Sequence, residues 1–273
     1  MFFLRPAGRA LLWTLLTALT ALFSRWLGGA VESFPRSRQP GPSAACHPAA
    51  ARDEQRLADS PLWRFVEARL VEHVLRPFKQ HPTFQRLSIL NVDFGPGGIA
   101  SALRARAPLD STVIATDSVA GMGDLARHRA LRRRQRLEPA FIQSWSHGLP
   151  FRDSSFDLVV SSGALHSWPY PESTLSEIGR VVKPDGRYLV ADLRRDMPLW
   201  RWLLVQLGQA LVAPKDLRAL GEPGASIRAA YAPHEAEWLG ARASLPDLRV
   251  SAGPAWIMME SGGAAAPQTY SLN

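Results

Sequence analysis

Cysteine is nearly absent: Cys46 stands alone in 273 residues. A disulfide framework and a multi-cysteine metal site are both excluded. The seven histidines (47, 73, 81, 128, 147, 166 and 234) show no H-x-x-x-H or similar spacing, so no structural metal is expected. Lysine is scarce as well, with only Lys79, Lys183 and Lys215 among 32 basic residues, the rest being arginine. The formal net charge is +8 and the pI about 10.5. That skew fits an anionic membrane surface as well as a nucleic acid. No acid precedes Glu32, and no uninterrupted apolar run reaches the roughly 20 residues of a membrane span. No internal repeat is visible.

What is present suits one globular domain with appendages, at 46% hydrophobic and 21% charged residues. Arg5 and Arg9 precede an apolar run over 10–23. With Arg25 snorkelling and Trp26 at the interface, residues 10–27 read as a segment that crosses or lies in a bilayer. Two rivals stay open: a cleaved signal peptide, with small residues Gly28 and Ala30 near a cut, and an arginine-rich transit peptide. Arg25, Arg36, Arg38, Arg52 and Arg56 after the run favour a membrane-associated protein whose C-terminal domain lies on the cytoplasmic side. Residues 1–30 are thus a hydrophobic N-terminal segment. Residues 31–58, with prolines 35, 40, 42 and 48, read as a disordered linker, 59–262 as the folded domain and 263–273 as a flexible tail.

The domain opens with an amphipathic helix over 61–79, carrying Trp63, Phe65, Val66, Leu70, Val74 and Leu75. Next comes SILNVDFGPGGIASAL at 88–103: a buried strand, a glycine turn and a helix. Glycines let backbone approach a ligand, and the helix start presents unpaired N–H groups there. Gly95-x-Gly97-x-x-Ala100 also fits the dinucleotide fingerprint. A β-branched strand over 111–117 ends on Asp117, about 20 residues on, where such folds set a carboxylate against ribose hydroxyls. Strands follow at 139–144, 155–162 and 188–193, with a helix from Pro171 to the 182–183 step and a closing KPDG at 183–186. Two more strands, at 248–251 and 255–260, are too close to be anything but antiparallel neighbours. The fold class is therefore α/β, a doubly wound Rossmann-like seven-stranded sheet, mostly parallel with an antiparallel last strand, preceded by an N-terminal hydrophobic helix.

LPFRDSSFD at 149–157, running on through LVVSSGALHSW to 168, and EIGRVVKPDG at 177–186 resemble the class I S-adenosylmethionine-dependent methyltransferases, of the small-molecule type related to quinone-biosynthetic enzymes. That family shows L-P-F-x-D-x-S-F-D and then E-I-x-R-V-L-K-P-G-G at this spacing. The resemblance displaces the dinucleotide reading and implies S-adenosyl-L-methionine as cofactor and a small-molecule methyl acceptor. Carried over, Gly95 and Gly97 line the methionine part and Asp117 holds the ribose. Ser118 and Met122 flank the adenine, Ser144 and Trp145 sit at its edge, and Ser161 closes the site. Two positions depart: Asn91 stands where the family has an acid, and Asp93 where it has the first loop glycine. Either the loop has decayed, or the carboxylate has moved two residues along the strand and meets the cofactor's ammonium or sulfonium.

Methyl transfer from a sulfonium needs alignment and exclusion of water, and a base only when the acceptor must lose a proton. His166, just past the fourth strand, is the candidate base; the alternative is that it and Trp168 only shape the pocket wall. Residues 197–214, apolar nearly all round, read as core or lid, or else as an interfacial helix that hints at a lipophilic acceptor. The arginines at 127–136 read as a solvated helix end. A nucleic-acid partner is disfavoured, because SSGA at 161–164 replaces the N/D-P-P-Y-type turn of enzymes that methylate base amino groups. A non-catalytic membrane-associated protein with a degenerate loop is the alternative to an enzyme.

Overall fold

The computed structural model describes residues 18–30, 37–39, 61–79, 85–95, 98–132, 138–212 and 224–262. Residues 18–30 are helical (α1). The domain then runs α2 (Pro61–Lys79), β1 (Ser88–Val92), α3 (Gly98–Arg106), β2 (Thr112–Asp117), α4 (Met122–Arg132), β3 (Ala140–Gln143), β4 (Phe156–Ser162), a 3-10 turn (Leu165–Ser167), α5 (Pro171–Val181) and β5 (Val182–Leu193). It ends with α6 (Leu199–Val212), α7 (Gly224–Ala229), α8 (Pro233–Arg242), β6 (Leu248–Ala252) and β7 (Trp256–Ser261).

The seven strands form one sheet in the order β3-β2-β1-β4-β5-β7-β6. The pairs from β3 to β5 are parallel, and β7 runs antiparallel between β5 and β6. The chain goes from β1 outward to β2 on one side and returns to β4 on the other, so β1 and β4 flank the point where the winding reverses. Open α/β sheets bind ligands at the carboxyl ends of the strands beside that point.

Period-two alternation explains how the strands are buried on both faces. Ile89 packs under α2 and α3, with Val71, Leu75, Phe78, Leu103, Val113 and Leu158. Leu90 and Val92 point the other way, against Leu175, Ile178 and Val181 of α5 and Ala236 and Leu239 of α8. Full burial of such a Leu or Ile side chain contributes about 1.5–3 kcal/mol. The expected stripe of α2 is buried only in its second half; Trp63 and Phe65 face outward.

The KPDG stretch does not cap a helix. Its residues open β5, where Phe156 pairs with Val182 and Leu158 with Arg187, so the strand bulges between the two pairs. A Cβ on Gly186 would meet Val182 Cγ2 at 2.9 Å and the Lys183 and Phe156 carbonyls at 3.0 Å, so the bulge closes only without a side chain. Lys183 Nζ fastens it to Asp157 at 2.7 Å, and the other oxygen of Asp157 accepts the Ser88 N–H at 2.8 Å.

Among the described residues no helix is long and apolar enough to cross a membrane. The expected 10–27 segment is described only from residue 18; residues 10–17, most of the linker, the tail over 263–273 and Arg133, Arg134 and Arg136 lie outside the described residues. Within the stretch read as linker, residues 37–39 lie against the domain, the Gln39 N–H donating to the Arg228 carbonyl at 2.9 Å. α1 ends against α6: Trp202, fully buried, donates its indole N–H to the Ala30 carbonyl at 2.7 Å.

Candidate functional site

The carboxyl ends of β1 and β2 are clasped on one side chain. Asp117, the last residue of β2, is buried; its Oδ2 accepts the Gly95 N–H at 3.0 Å and its Oδ1 the Val119 N–H at 2.9 Å. Burial pushes its carboxyl above the usual range, while the N–H groups of Val119, Gly95 and Ser118 pull it back. Gly95 takes φ +52°, a left-handed backbone that glycine adopts without strain. Beside the clasp lies a hollow of about 190 Å³ walled by Phe94, Val119, Phe141 and Ile142, with Asp117, Gln143 and the Asp124–Arg127 ion pair as its polar and charged groups.

One residue past β1, Asp93 also has a left-handed φ of +50°. Its Oδ2 accepts the Trp168 indole N–H at 2.5 Å, across the gap between the exits of β1 and β4. The Ser146 side chain lies close enough to the same carboxyl group to favour its ionised form. Burial first, and the Asp117 carboxylate second, push Asp93 up to about 7 against those two side chains.

The β4 and β5 exits carry a second cluster. His166 sits on the 3-10 turn after β4, buried, with Nδ1 3.0 Å from Oδ1 of Asp192 near the end of β5. The His166 backbone N–H donates to Asp192 Oδ2 at 2.6 Å, so ring and backbone are both fixed by one carboxylate. Donation from Nδ1 makes Nε2 the basic nitrogen of the ring. Tyr231, just before α8, is buried alongside, and burial raises its phenol above its ordinary range. The Arg38 guanidinium lies 4.1 Å over the Tyr231 ring and donates to the Ala229 carbonyl at 2.7 Å.

Residues 90–190 match a family model described as a methyltransferase domain. Over 142 residues the chain is 32% identical to the phthiotriol/phenolphthiotriol dimycocerosates methyltransferase of Mycobacterium tuberculosis, covering 49% of this chain and 50% of that one. Over 112 residues it is 31% identical to a ubiquinone/menaquinone biosynthesis C-methyltransferase of Stenotrophomonas maltophilia, covering 41% and 44%. Its fold matches an S-adenosylmethionine-dependent methyltransferase from Aquifex aeolicus with a TM-score of 0.54 at 17% identity, over 76% of this chain and 95% of that one. Residues 90–190 are a methyltransferase domain. The chain spans about half the length of the curated relatives it matches. The Aquifex aeolicus protein is described as dependent on S-adenosylmethionine.

The residues present fit that cofactor. The hollow pairs aromatic and aliphatic walls with a carboxylate, which suits a nucleoside. On the flanking strands Asn91 Oδ1, Thr116 Oγ1 and Ser161 Oγ are buried with no hydrogen-bond partner. Such atoms are rare in a finished interior and common where a ligand completes the bonding.

The methyltransferase domain brings Asn91, Asp93, Gly95, Asp117, Ser118, Ser144 and Ser161 to one rim, since all lie at or just past the carboxyl ends of the four neighbouring parallel strands β3, β2, β1 and β4. Ser144 is held there by its own N–H on the Asp117 carbonyl at 2.9 Å. Trp145 stands out on the rim, 62% exposed. Met122 packs below it, in the core with Phe94, Ala100, Ala115 and Ala126. Gly97 lies outside the described residues. Sequence reasoning named His166 but missed its partner Asp192, although an acid ending the apolar run YLVAD at 188–192 is the same signal that marked Asp117. It also missed Tyr231 and Arg38, for which no local signal exists.

Proposed function

We propose that the protein transfers the methyl group of S-adenosylmethionine to a small lipophilic acceptor. The observation that carries this is the meeting of the Gly95–Asp117 clasp and the His166–Asp192 pair at the two sides of one switch point. When bound, the cofactor supplies a methyl group already activated on a sulfonium.

Asp117 would hold the ribose hydroxyls in place of the backbone amides it now accepts, with Ser118 beside it. Asn91 and Ser161 would offer their unpartnered oxygens to the cofactor's polar groups. Ser144 and Trp145 would border the adenine, and Met122 would back that wall from the core. His166, fixed through Nδ1 on Asp192, takes a proton at Nε2 from an acceptor hydroxyl or acidified C–H. Asp192 stabilises the imidazolium that results. Trp168 and Tyr231, both buried, keep water from the reacting centre. Nothing in this geometry or among the relatives supports the non-catalytic alternative.

Lipophilicity rests on two helices. α1 exposes Leu19, Leu22 and Phe23, and α6 exposes Leu199 at its start and Trp200, Leu204 and Leu207 on the side opposite buried Trp202. Neither helix contains an acid, and Arg25 and Arg201 lie among these side chains. An apolar face with a cationic border suits the surface of an anionic bilayer, in line with a membrane-associated protein whose domain stays on the cytoplasmic side. One relative is named for dimycocerosates and another for ubiquinone and menaquinone biosynthesis.

The test is transfer of label from methyl-labelled S-adenosylmethionine into solvent-extractable product, with a panel of lipid phenols, quinols and alcohols. Label in the organic phase that vanishes in His166→Ala supports the reading. Labelled nucleic acid with no labelled small molecule overturns it.

A further inference from the structure

Asp93 occupies a backbone conformation that favours glycine, yet it carries a side chain and that side chain is engaged. The carboxyl group spans the crevice from the β1 exit to Trp168 beyond β4, with the Ser146 side chain beyond β3 nearby. Asp117 reaches the same place from the β2 exit. Among the described residues no arginine, lysine or histidine lies within ion-pair distance of either carboxylate. That is unexpected in a chain with eight excess positive charges. A half-buried acid that feels the charge of buried Asp117, with no counter-ion among the described residues, is a seat for a cation.

We propose that Asp93 forms the anionic seat for the positively charged methionine end of the cofactor, beside the ribose-holding Asp117, and that the Asp93 carboxyl group releases its proton to solvent when that charge enters. The inference rests on the methyltransferase reading above and adds a recognition residue at a position where the family carries glycine.

The sign follows from the electrostatics. In the free protein, burial and the Asp117 charge disfavour ionised Asp93, whose pKa is about 7. A cation alongside favours the ionised form and lowers that pKa, so binding below pH 7 expels a proton. Affinity therefore rises with pH up to about 7 and levels off above it. Asp117 is the charged group that faces Asp93. From the β3 side the neighbour is uncharged Ser146; the next residue, His147, packs its ring on Trp145 and Tyr170. From the β4 side the donor is uncharged Trp168, and the ring of His166 is bound to Asp192.

The experiment is calorimetric titration of the full chain with S-adenosylmethionine at pH 6 and pH 8, in two buffers of unlike ionisation enthalpy. Wild type, Asp93→Asn and Asp93→Gly are compared. Wild type is expected to release close to one proton more than Asp93→Asn at pH 6 and nearly the same number at pH 8. Both variants are expected to bind about 10–100-fold more weakly than wild type at pH 8. Repeating the series with S-adenosylhomocysteine identifies the partner: an equal loss for both ligands means the ammonium, a loss confined to S-adenosylmethionine means the sulfonium. Equal proton release by wild type and Asp93→Asn, or tighter binding by Asp93→Gly, overturns the inference and leaves the methyltransferase reading intact. Absence of binding by all three proteins overturns both.

Discussion

The two halves of the rim are built differently. At β1 and β2 one carboxylate, Asp117, gathers backbone amides from two turns, so the geometry is set by chain path. At β4 and β5 one carboxylate, Asp192, gathers a side chain and the backbone that carries it, so the geometry is set by a pair of residues 26 apart. The first arrangement suits a ligand common to many enzymes, held by shape. The second suits chemistry, since it fixes which nitrogen of an imidazole is basic. The proposed function puts binding and proton transfer on opposite sides of the switch point, and substitutions should separate them.

The largest effect is expected for His166→Ala, with kcat falling about 10²–10⁴-fold and cofactor affinity unchanged. Asp117→Ala should do the reverse: cofactor Kd rises about 10–100-fold while kcat at saturating cofactor changes less. Steady-state kinetics beside calorimetry reads both, and a variant that damages both quantities equally breaks the comparison.

Smaller effects lie away from the rim. Full-length protein is expected to float with vesicles containing anionic lipid and much less with neutral vesicles, and Trp200→Ser with Leu204→Ser and Leu207→Ser should reduce flotation several-fold. Failure of the wild type to float with either vesicle removes the bilayer contact; a dimer that the same substitutions dissociate assigns the face to a second copy of the chain. The smallest change concerns Glu177 below β4. Its carboxylate accepts two bonds from Arg180 at 2.7 Å and the Leu149 N–H at 2.7 Å, and chiefly the Arg180 bonds hold its pKa below the usual value. This stabilisation is complete above the unfolded glutamate pKa and is lost as pH falls through the lowered folded one. Glu177→Gln should therefore lower stability by about 1–2 kcal/mol at pH 7 and by much less in acid, read by urea titration at both pH values.

The contrast between the two rims also decides what was legible in the sequence. The Asp117 side was readable because its parts are contiguous: a strand, a glycine turn, a helix, then a strand ending in an acid. The seven-stranded sheet was readable for the same reason, through period-two runs and the antiparallel closing pair. His166 was readable as a residue, but its partner was not, because pairing across 26 positions depends on β5 lying beside β4. Arg38 was read as part of a linker; its place on Tyr231 is a tertiary contact between residues 193 apart that no local pattern encodes. KPDG misled because the same residues that end helices also make a strand bulge, and only the crowding at Gly186 separates the two. Met122, placed beside the adenine by resemblance, is a core residue because the apolar face of α4 turns toward Phe94 and Ala115.

The most direct test of the account is the heat of binding of S-adenosylhomocysteine to the full chain, measured for wild type and for Asp117→Ala. The account predicts one saturable site in the wild type and binding at least about tenfold weaker in the variant. A wild type that gives no saturable heat, or a variant that binds as tightly as the wild type, would contradict it.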